Sequence, residues 1–381
     1  MKSKDQIYRQ LQKHLNNQAV GFPATRSGVE LKILKHIFNP KEAEIASHLN
    51  YKFENIETIY EKVKHFVGSI EKLEKILDST VKKGGIEKKF KNGSKHYACI
   101  PLVFGMYEFQ NDRLTPEFRK DIKTYFSTKN FGIEFLSTKL PQMRTIPISK
   151  SIRIKNHVSR FDEVSTLLEE ADGPFVIIDC ICRKEKALDG NSCKVTDRTE
   201  TCLGVGHLAQ MSINNNVGRE ITKDAAISII EQNQKEGLVI QPSNTKKAEF
   251  ICSCCGCCCG MLRAHRSLPL PLEFWATNFY AVVDRNACIG CGACQKACQV
   301  NAITANERVK HAFVESNRCL GCGLCVVNCP KNAIALKKRS DEKIPPQNRE
   351  ELYDIIMENK KGKFEKLILS GKLLIDSIRN M

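Results

Sequence analysis

Eight cysteines toward the C-terminal end fall into two runs of the same spacing, C-x2-C-x2-C-x3-C, offset from each other by 31 residues. The first is Cys288, Cys291, Cys294 and Cys298; the second is Cys319, Cys322, Cys325 and Cys329, followed by Pro330. The flanking text repeats as well, ACIGCGACQKACQVNAI against RCLGCGLCVVNCPKNAI. Steps this short wrap one centre and do not suit bridges between distant loops, so the runs argue for metal ligation over a disulfide framework. Glycines at 290, 292, 321 and 323 allow tight turns and bring backbone N–H groups close to the sulfurs.

This pattern resembles the bacterial-type ferredoxins that carry two [4Fe–4S] clusters, where three cysteines of each run hold one cluster and the fourth crosses to the other. The resemblance implies Cys288, Cys291, Cys294 and Cys329 around one cluster, with Cys319, Cys322, Cys325 and Cys298 around the second. Gln299 departs from the pattern, since the second repeat has Pro330 there and the family usually has proline. Two structural zinc sites are the alternative use of these thiols.

Ten more cysteines lie in the middle of the chain. Cys180, Cys182, Cys193 and Cys202 are spaced C-x-C-x10-C-x8-C, and Cys252, Cys254, Cys255, Cys257, Cys258 and Cys259 crowd six cysteines into eight positions. Adjacent cysteines cannot all point into one apolar core, so metal binding is the expected purpose. A third [4Fe–4S] cluster on Cys180, Cys182, Cys193 and Cys202 is the first expectation. The dense block would then supply alternative ligands, a further cluster or a larger iron–sulfur assembly, with zinc, copper(I) or a redox-active disulfide as other uses.

The 381 residues leave room for several domains. The fold expected is α+β and multidomain. An N-terminal helical segment (1–27) precedes a winged-helix-like domain (28–105) and a connector (106–150). A cysteine-rich α/β middle domain (151–278), a bacterial-type dicluster ferredoxin module (279–338) and a helical C-terminal tail (339–381) follow. Within 28–105, Asn39-Pro40 starts one helix, residues 53–67 carry a second apolar stripe, and Ser69 caps a third with Leu73, Leu77 and Val81 on one face. Asn92-Gly93 then joins two strands as a tight turn. In the connector, residues 117–131 read as one helix. The whole order resembles multidomain dicluster ferredoxin-like iron–sulfur proteins of anaerobes.

Net charge is +16, and residues 1–105 hold half of that excess, with 19 Lys and Arg against 11 Asp and Glu. Lys72, Lys75, Lys82, Lys83, Lys88, Lys89, Lys91 and Lys95 could face a phosphate backbone, but Glu71, Glu74 and Asp78 on the same helix oppose it, so DNA binding and protein docking both stay open. MKSKDQIYRQLQKHLNN lacks the apolar stretch of a signal peptide, and no run approaches 18 apolar residues. A reduced, cytoplasmic setting without a membrane span is expected. The expected function is relay of single low-potential electrons between a redox protein donor and acceptor. The alternatives are a redox-sensing transcription regulator and an oxidoreductase subunit reacting at the middle cysteines.

Overall fold

The helix starts of the first third are set by side-chain caps. In α1 (Lys4–Asn16) Ser3 forms a capping box with Gln6, and in α3 (Pro40–Ala46) Asn39 does the same with Glu42, with Pro40 in the first turn. Between them α2 (Val29–Ile37) buries Val29, Ile33, Leu34 and Ile37. A two-residue strand β1 (Glu54–Asn55) leads into α4 (Ile56–Val63), capped by Asn55, and Ser69 caps α5 (Ile70–Lys82). The segment from 28 to 83 therefore holds four helices, not three. The expected helix over 53–67 is shorter because Asn55 accepts the Thr58 N–H and stops it starting earlier.

Strands β2 (Ile86–Lys91) and β3 (Ser94–Cys99) form an antiparallel hairpin. Asn92 and Gly93 take φ of 51° and 77°, the left-handed pair that a two-residue hairpin turn requires. With β1 they make a three-stranded sheet in the order β1-β3-β2. Beyond it come α6 (Pro116–Phe126) and α7 (Lys129–Phe135). The single helix expected over 117–131 is broken because Thr128 takes extended backbone and accepts the Phe131 N–H as a new cap.

The computed structural model describes residues 3–138, 140–152, 159–306 and 310–379. The chain divides into two units: Met1–Lys139 with Met211–Val217 and Tyr353–Ser370, and Leu140–Gln210 with Gly218–Leu352 and Gly371–Met381. In the first unit Asp78 accepts from Lys88, Lys95 and the Tyr97 hydroxyl, each at 2.9 Å, and Lys83 reaches both Glu42 oxygens at 2.7 and 2.9 Å. Cys99 is buried there, its thiol facing the Ala46 and Leu49 carbonyls at 3.6 Å, a packing role apart from the other eighteen cysteines.

In the second unit α8 (Val164–Glu169) precedes β4 (Phe175–Asp179), α9 (Ile181–Leu188), β5 (Glu200–Val205) and β6 (Arg219–Ile221), while α10 (His207–Asn214) begins in this unit and from Met211 belongs to the first. Then α11 (Lys223–Lys235), capped by Thr222, leads to β7 (Val239–Pro242), β8 (Phe250–Cys254) and α12 (Gly260–Ser267). The five strands lie in the order β6-β4-β5-β8-β7. Every neighbouring pair is antiparallel, so the helices and strands of the middle region are built on an antiparallel sheet.

The two cysteine repeats follow. β9 (Phe279–Val283), α13 (Ala293–Ala297) and β10 (Ile303–Asn306) belong to the first, and β11 (His311–Val314), α14 (Leu324–Val327) and β12 (Ile334–Lys338) to the second. β9 pairs with β12 and β10 with β11, both antiparallel, so each repeat gives one strand to each ladder. The chain ends in two helices, α15 (Arg349–Glu358) and α16 (Lys363–Arg379). No helix among the described residues is long and apolar enough to cross a membrane.

Candidate metal centres

The 31-residue offset survives into three dimensions as a crossed set of hydrogen bonds. The backbone N–H of Ala281 points at Sγ of Cys319 at 3.3 Å, and that of Ala312, 31 positions on, points at Sγ of Cys288 at 3.4 Å. Each repeat thus serves the first cysteine of the other. Within each repeat, Ala302 N–H meets Cys298 Sγ and Ala333 N–H meets Cys329 Sγ, both at 3.2 Å. An amide aimed at a sulfur stabilises negative charge on it and tunes whatever the sulfur binds.

Gly290 and Gly321 are equivalent and both left-handed, with φ of 71° and 61°. A Cβ at Gly321 would stand 2.3 Å from the Phe279 carbonyl oxygen, and one at Gly290 3.0 Å from the carbonyl carbon of Lys310. Residues 279 and 310 are themselves 31 apart, so both loops need glycine for the same close approach of backbone.

One cavity is lined by Cys288, Cys291, Cys294 and Cys329 together with apolar Ile289, Ala312 and Ile334. Cys298 lies close enough to Cys319, Cys322 and Cys325 for its charge to raise theirs. Burial first, and then Cys298 and Cys319 beside it, push Cys322 up to about 12. Such a thiol ionises only when a metal takes the place of its proton. Four thiols around an apolar cavity, with amides turned toward sulfur, fit a cubane cluster.

The middle cysteines divide differently from the expected grouping. Cys193 does not complete a set with Cys180, Cys182 and Cys202. It sits 3.5 Å from Cys255 Sγ and 3.6 Å from Cys257 Sγ, and Cys257 is 3.5 Å from Cys255 and 3.6 Å from Cys258. The four sulfurs of Cys193, Cys255, Cys257 and Cys258 all lie within 4.8 Å of one another. A tetrahedral ion with metal–sulfur bonds near 2.3 Å sets its ligand sulfurs about 3.8 Å apart, so the group matches the span of one ion. Burial raises Cys193, but the amides of Thr196 and Val195 and the thiols of Cys255 and Cys257 outweigh it and bring it down to about 7.

The remaining six form a chain of neighbours that closes on itself. Cys180 neighbours Cys182 and Cys202, Cys202 neighbours Cys252, Cys252 neighbours Cys254, Cys254 neighbours Cys259, and Cys259 neighbours Cys182. The strands dictate part of this. The β5–β8 pairing sets Leu203 opposite Ile251, which brings Cys202 level with Cys252, and Cys252 and Cys254 share a strand face at i and i+2. Cys180 is the N-cap of α9 and Cys259 the N-cap of α12, so two helix starts meet at these thiols.

Arg183, buried, donates to Thr201 Oγ1 and to the Ser253 carbonyl at 2.8 Å, and its charge acts on Cys180, Cys255 and Cys202. Asp179 accepts from the Thr199 hydroxyl at 2.6 Å, a structural tie. Gln299 had stood out only as a missing proline. Its Oε1 accepts the N–H of Gly256, between Cys255 and Cys257, at 2.8 Å, while its carbonyl accepts from Arg266 at 3.0 and 2.7 Å.

No curated protein matches the chain. Residues 281–336 match the family model of the 4Fe-4S dicluster domain, and together with the cysteine clusters this marks the chain as an iron–sulfur protein.

Proposed function

We propose that this protein is an electron carrier in which Cys288, Cys291, Cys294 and Cys329 hold one [4Fe–4S] cluster and Cys319, Cys322, Cys325 and Cys298 hold a second. When bound, such clusters supply reversible one-electron transfer at low potential. The observation that carries the reading is the crossed donation from Ala281 to Cys319 and from Ala312 to Cys288, inside the segment that matches a dicluster domain. The amides offset negative charge at the sulfurs, and Ala312 and Ile334 give one set an apolar lining. A redox protein on either side, one donor and one acceptor, is the partner class.

A third centre belongs at Cys193, Cys255, Cys257 and Cys258. The mutual approach of these sulfurs favours a single tetrahedral ion, iron or zinc, over the cubane expected on Cys180, Cys182, Cys193 and Cys202. Iron there would extend the relay, and zinc would hold the fold. In the winged-helix-like segment 28–105, Glu42, Asp78 and Glu74 pair with Lys83, Lys88 and Lys95. Those cations are spent internally, which favours docking of a protein over binding of a phosphate backbone.

The test is EPR of the anaerobically purified full chain after reduction with dithionite, together with rapid mixing of the oxidised chain with a reduced low-potential donor. Two interacting [4Fe–4S] signals and electron exchange support the carrier. A chain with full cluster content that exchanges no electrons, but binds duplex DNA in a redox-dependent way, would be a regulator instead.

A further inference from the structure

The ring of Cys180, Cys182, Cys259, Cys254, Cys252 and Cys202 is unlike every other thiol group in the molecule. Each of the six has a thiol neighbour on either side, and the contacts close into a circuit. Yet among the described residues no three of the six lie mutually within 4.8 Å, whereas Cys193, Cys255, Cys257 and Cys258 do so as a complete set of four. The six therefore surround a space and do not converge on a point.

Smaller occupants leave part of the ring unused. One tetrahedral ion would draw four sulfurs to about 3.8 Å of each other, which leaves two thiols unused and requires close triples that are absent from the ring. One cubane takes four thiolates, one per iron, and again leaves two over. Cys252 and Cys254 share one strand, Cys180 and Cys259 are helix N-caps, and Arg183 lies by Cys180 and Cys202, so thiols from separate elements gather in one place, as the ligands of one centre do.

The wall behind the ring is fixed. Asn233 donates to the Thr201 carbonyl at 3.0 Å and to Ser253 Oγ at 2.8 Å, and Arg183 donates to the Ser253 carbonyl at 2.8 Å. Thr201 and Ser253 flank Cys202, Cys252 and Cys254, so these buried bonds clamp the two cysteine-bearing strands in register.

We infer that these six cysteines hold one polynuclear iron–sulfur core, larger than a single cubane and separate from the site at Cys193, Cys255, Cys257 and Cys258. The inference goes beyond the carrier reading, because the ferredoxin cysteines take no part in it.

The experiment compares full-length wild type, Cys182→Ser and Cys257→Ser, each purified anaerobically, by iron and acid-labile sulfide analysis and by Mössbauer spectroscopy of 57Fe-loaded protein. Cys182→Ser is expected to lose more than about four irons per chain with their sulfide, and Cys257→Ser no more than about one metal ion. Both should keep the EPR signals of the ferredoxin pair. A loss of four irons or fewer from Cys182→Ser, a loss of zinc in place of iron, or the same loss from both variants overturns the inference. If Cys182→Ser does not fold, wild type decides. With the ferredoxin pair fully occupied by EPR integration, more than about thirteen irons per chain supports the larger core, and about thirteen or fewer overturns it. Absent ferredoxin signals would count against the carrier and leave the ring's iron to be read on its own.

Discussion

Gln299 Oε1 accepts the backbone N–H of Gly256 at 2.8 Å, joining the residue after Cys298 to the one between Cys255 and Cys257. The second repeat has proline at the equivalent position, Pro330, and proline has no side-chain acceptor. The departure from the repeat is therefore where the ferredoxin cysteines are tied to the middle cysteines. A Cβ at Gly256 would meet the Gln299 carbonyl at 2.3 Å, so the contact is also one of close backbone packing.

Removing that acceptor tests the tie. Gln299→Leu should cost about 1 kcal/mol, since it leaves the Gly256 N–H without its partner. Chemical denaturation of the loaded protein would measure it. The metal of Cys255 and Cys257 should become easier to strip with a chelator, while the ferredoxin EPR signals keep their intensity.

The equivalent glycines predict an asymmetry. Gly321→Ala places a methyl 2.3 Å from a carbonyl oxygen, and Gly290→Ala places one 3.0 Å from a carbonyl carbon. Both also pay about 1–2 kcal/mol for the left-handed backbone. Gly321→Ala should therefore lose more cluster occupancy than Gly290→Ala, read as integrated EPR intensity per chain. Equal occupancy would contradict the geometry.

His265 sets an acid limit. It is fully buried, perpendicular to Trp275 with ring centroids 5.1 Å apart, and burial first, then Arg318 and Arg266, push it down to about 3. Unfolded histidine titrates near 6.5, so below about pH 6.5 the unfolded chain takes up a proton that the folded chain refuses. The stability that goes with a neutral His265 is intact above that pH and declines as pH falls toward 3. His265→Phe should flatten the fall of unfolding free energy between about pH 6.5 and 4.5, by up to about 1.4 kcal/mol per pH unit, as measured by chemical denaturation across that range.

Asp78 gathers three donors, Lys88, Lys95 and the buried Tyr97 hydroxyl. Burial raises its carboxyl, but these partners outweigh it and hold the group below its ordinary value. Its contribution is present above the unfolded carboxylate range and is lost as pH drops through the lowered value. Asp78→Asn should destabilise the first unit by about 1–2 kcal/mol at neutral pH, a figure reduced for the partly exposed lysines. Urea titration followed by far-UV circular dichroism would show it.

Local chemistry was legible in the sequence and long-range convergence was not. The caps at Asn39 and Ser69 and the turn at Asn92-Gly93 read directly, because each acts within a few residues. The helix break at Thr128 has the same local origin, but the apolar spacing of Tyr125, Phe126 and Phe131 runs across it. The repeat at 288–329 also read directly, since its spacing is local and doubled. The division of the middle cysteines into four and six was hidden. It depends on β5 lying beside β8 and on two helices starting at one place, and neither is written in the spacing C-x-C-x10-C-x8-C. One signal was present: Cys252-x-Cys254 in a stretch that alternates as a strand puts two thiols on one face.

The exchange of amides between repeats bears on ancestry. Ala281 serves Cys319 and Ala312 serves Cys288, and each ladder takes one strand from either half. A lone repeat would lack both its partner strands and the donor to its first cysteine. It could recover them only from a second copy of itself in a two-fold pair, where every contact is made twice. The duplicated segment is in that sense a homodimer made covalent, and Gln299 against Pro330 is a place where its two halves are not equivalent.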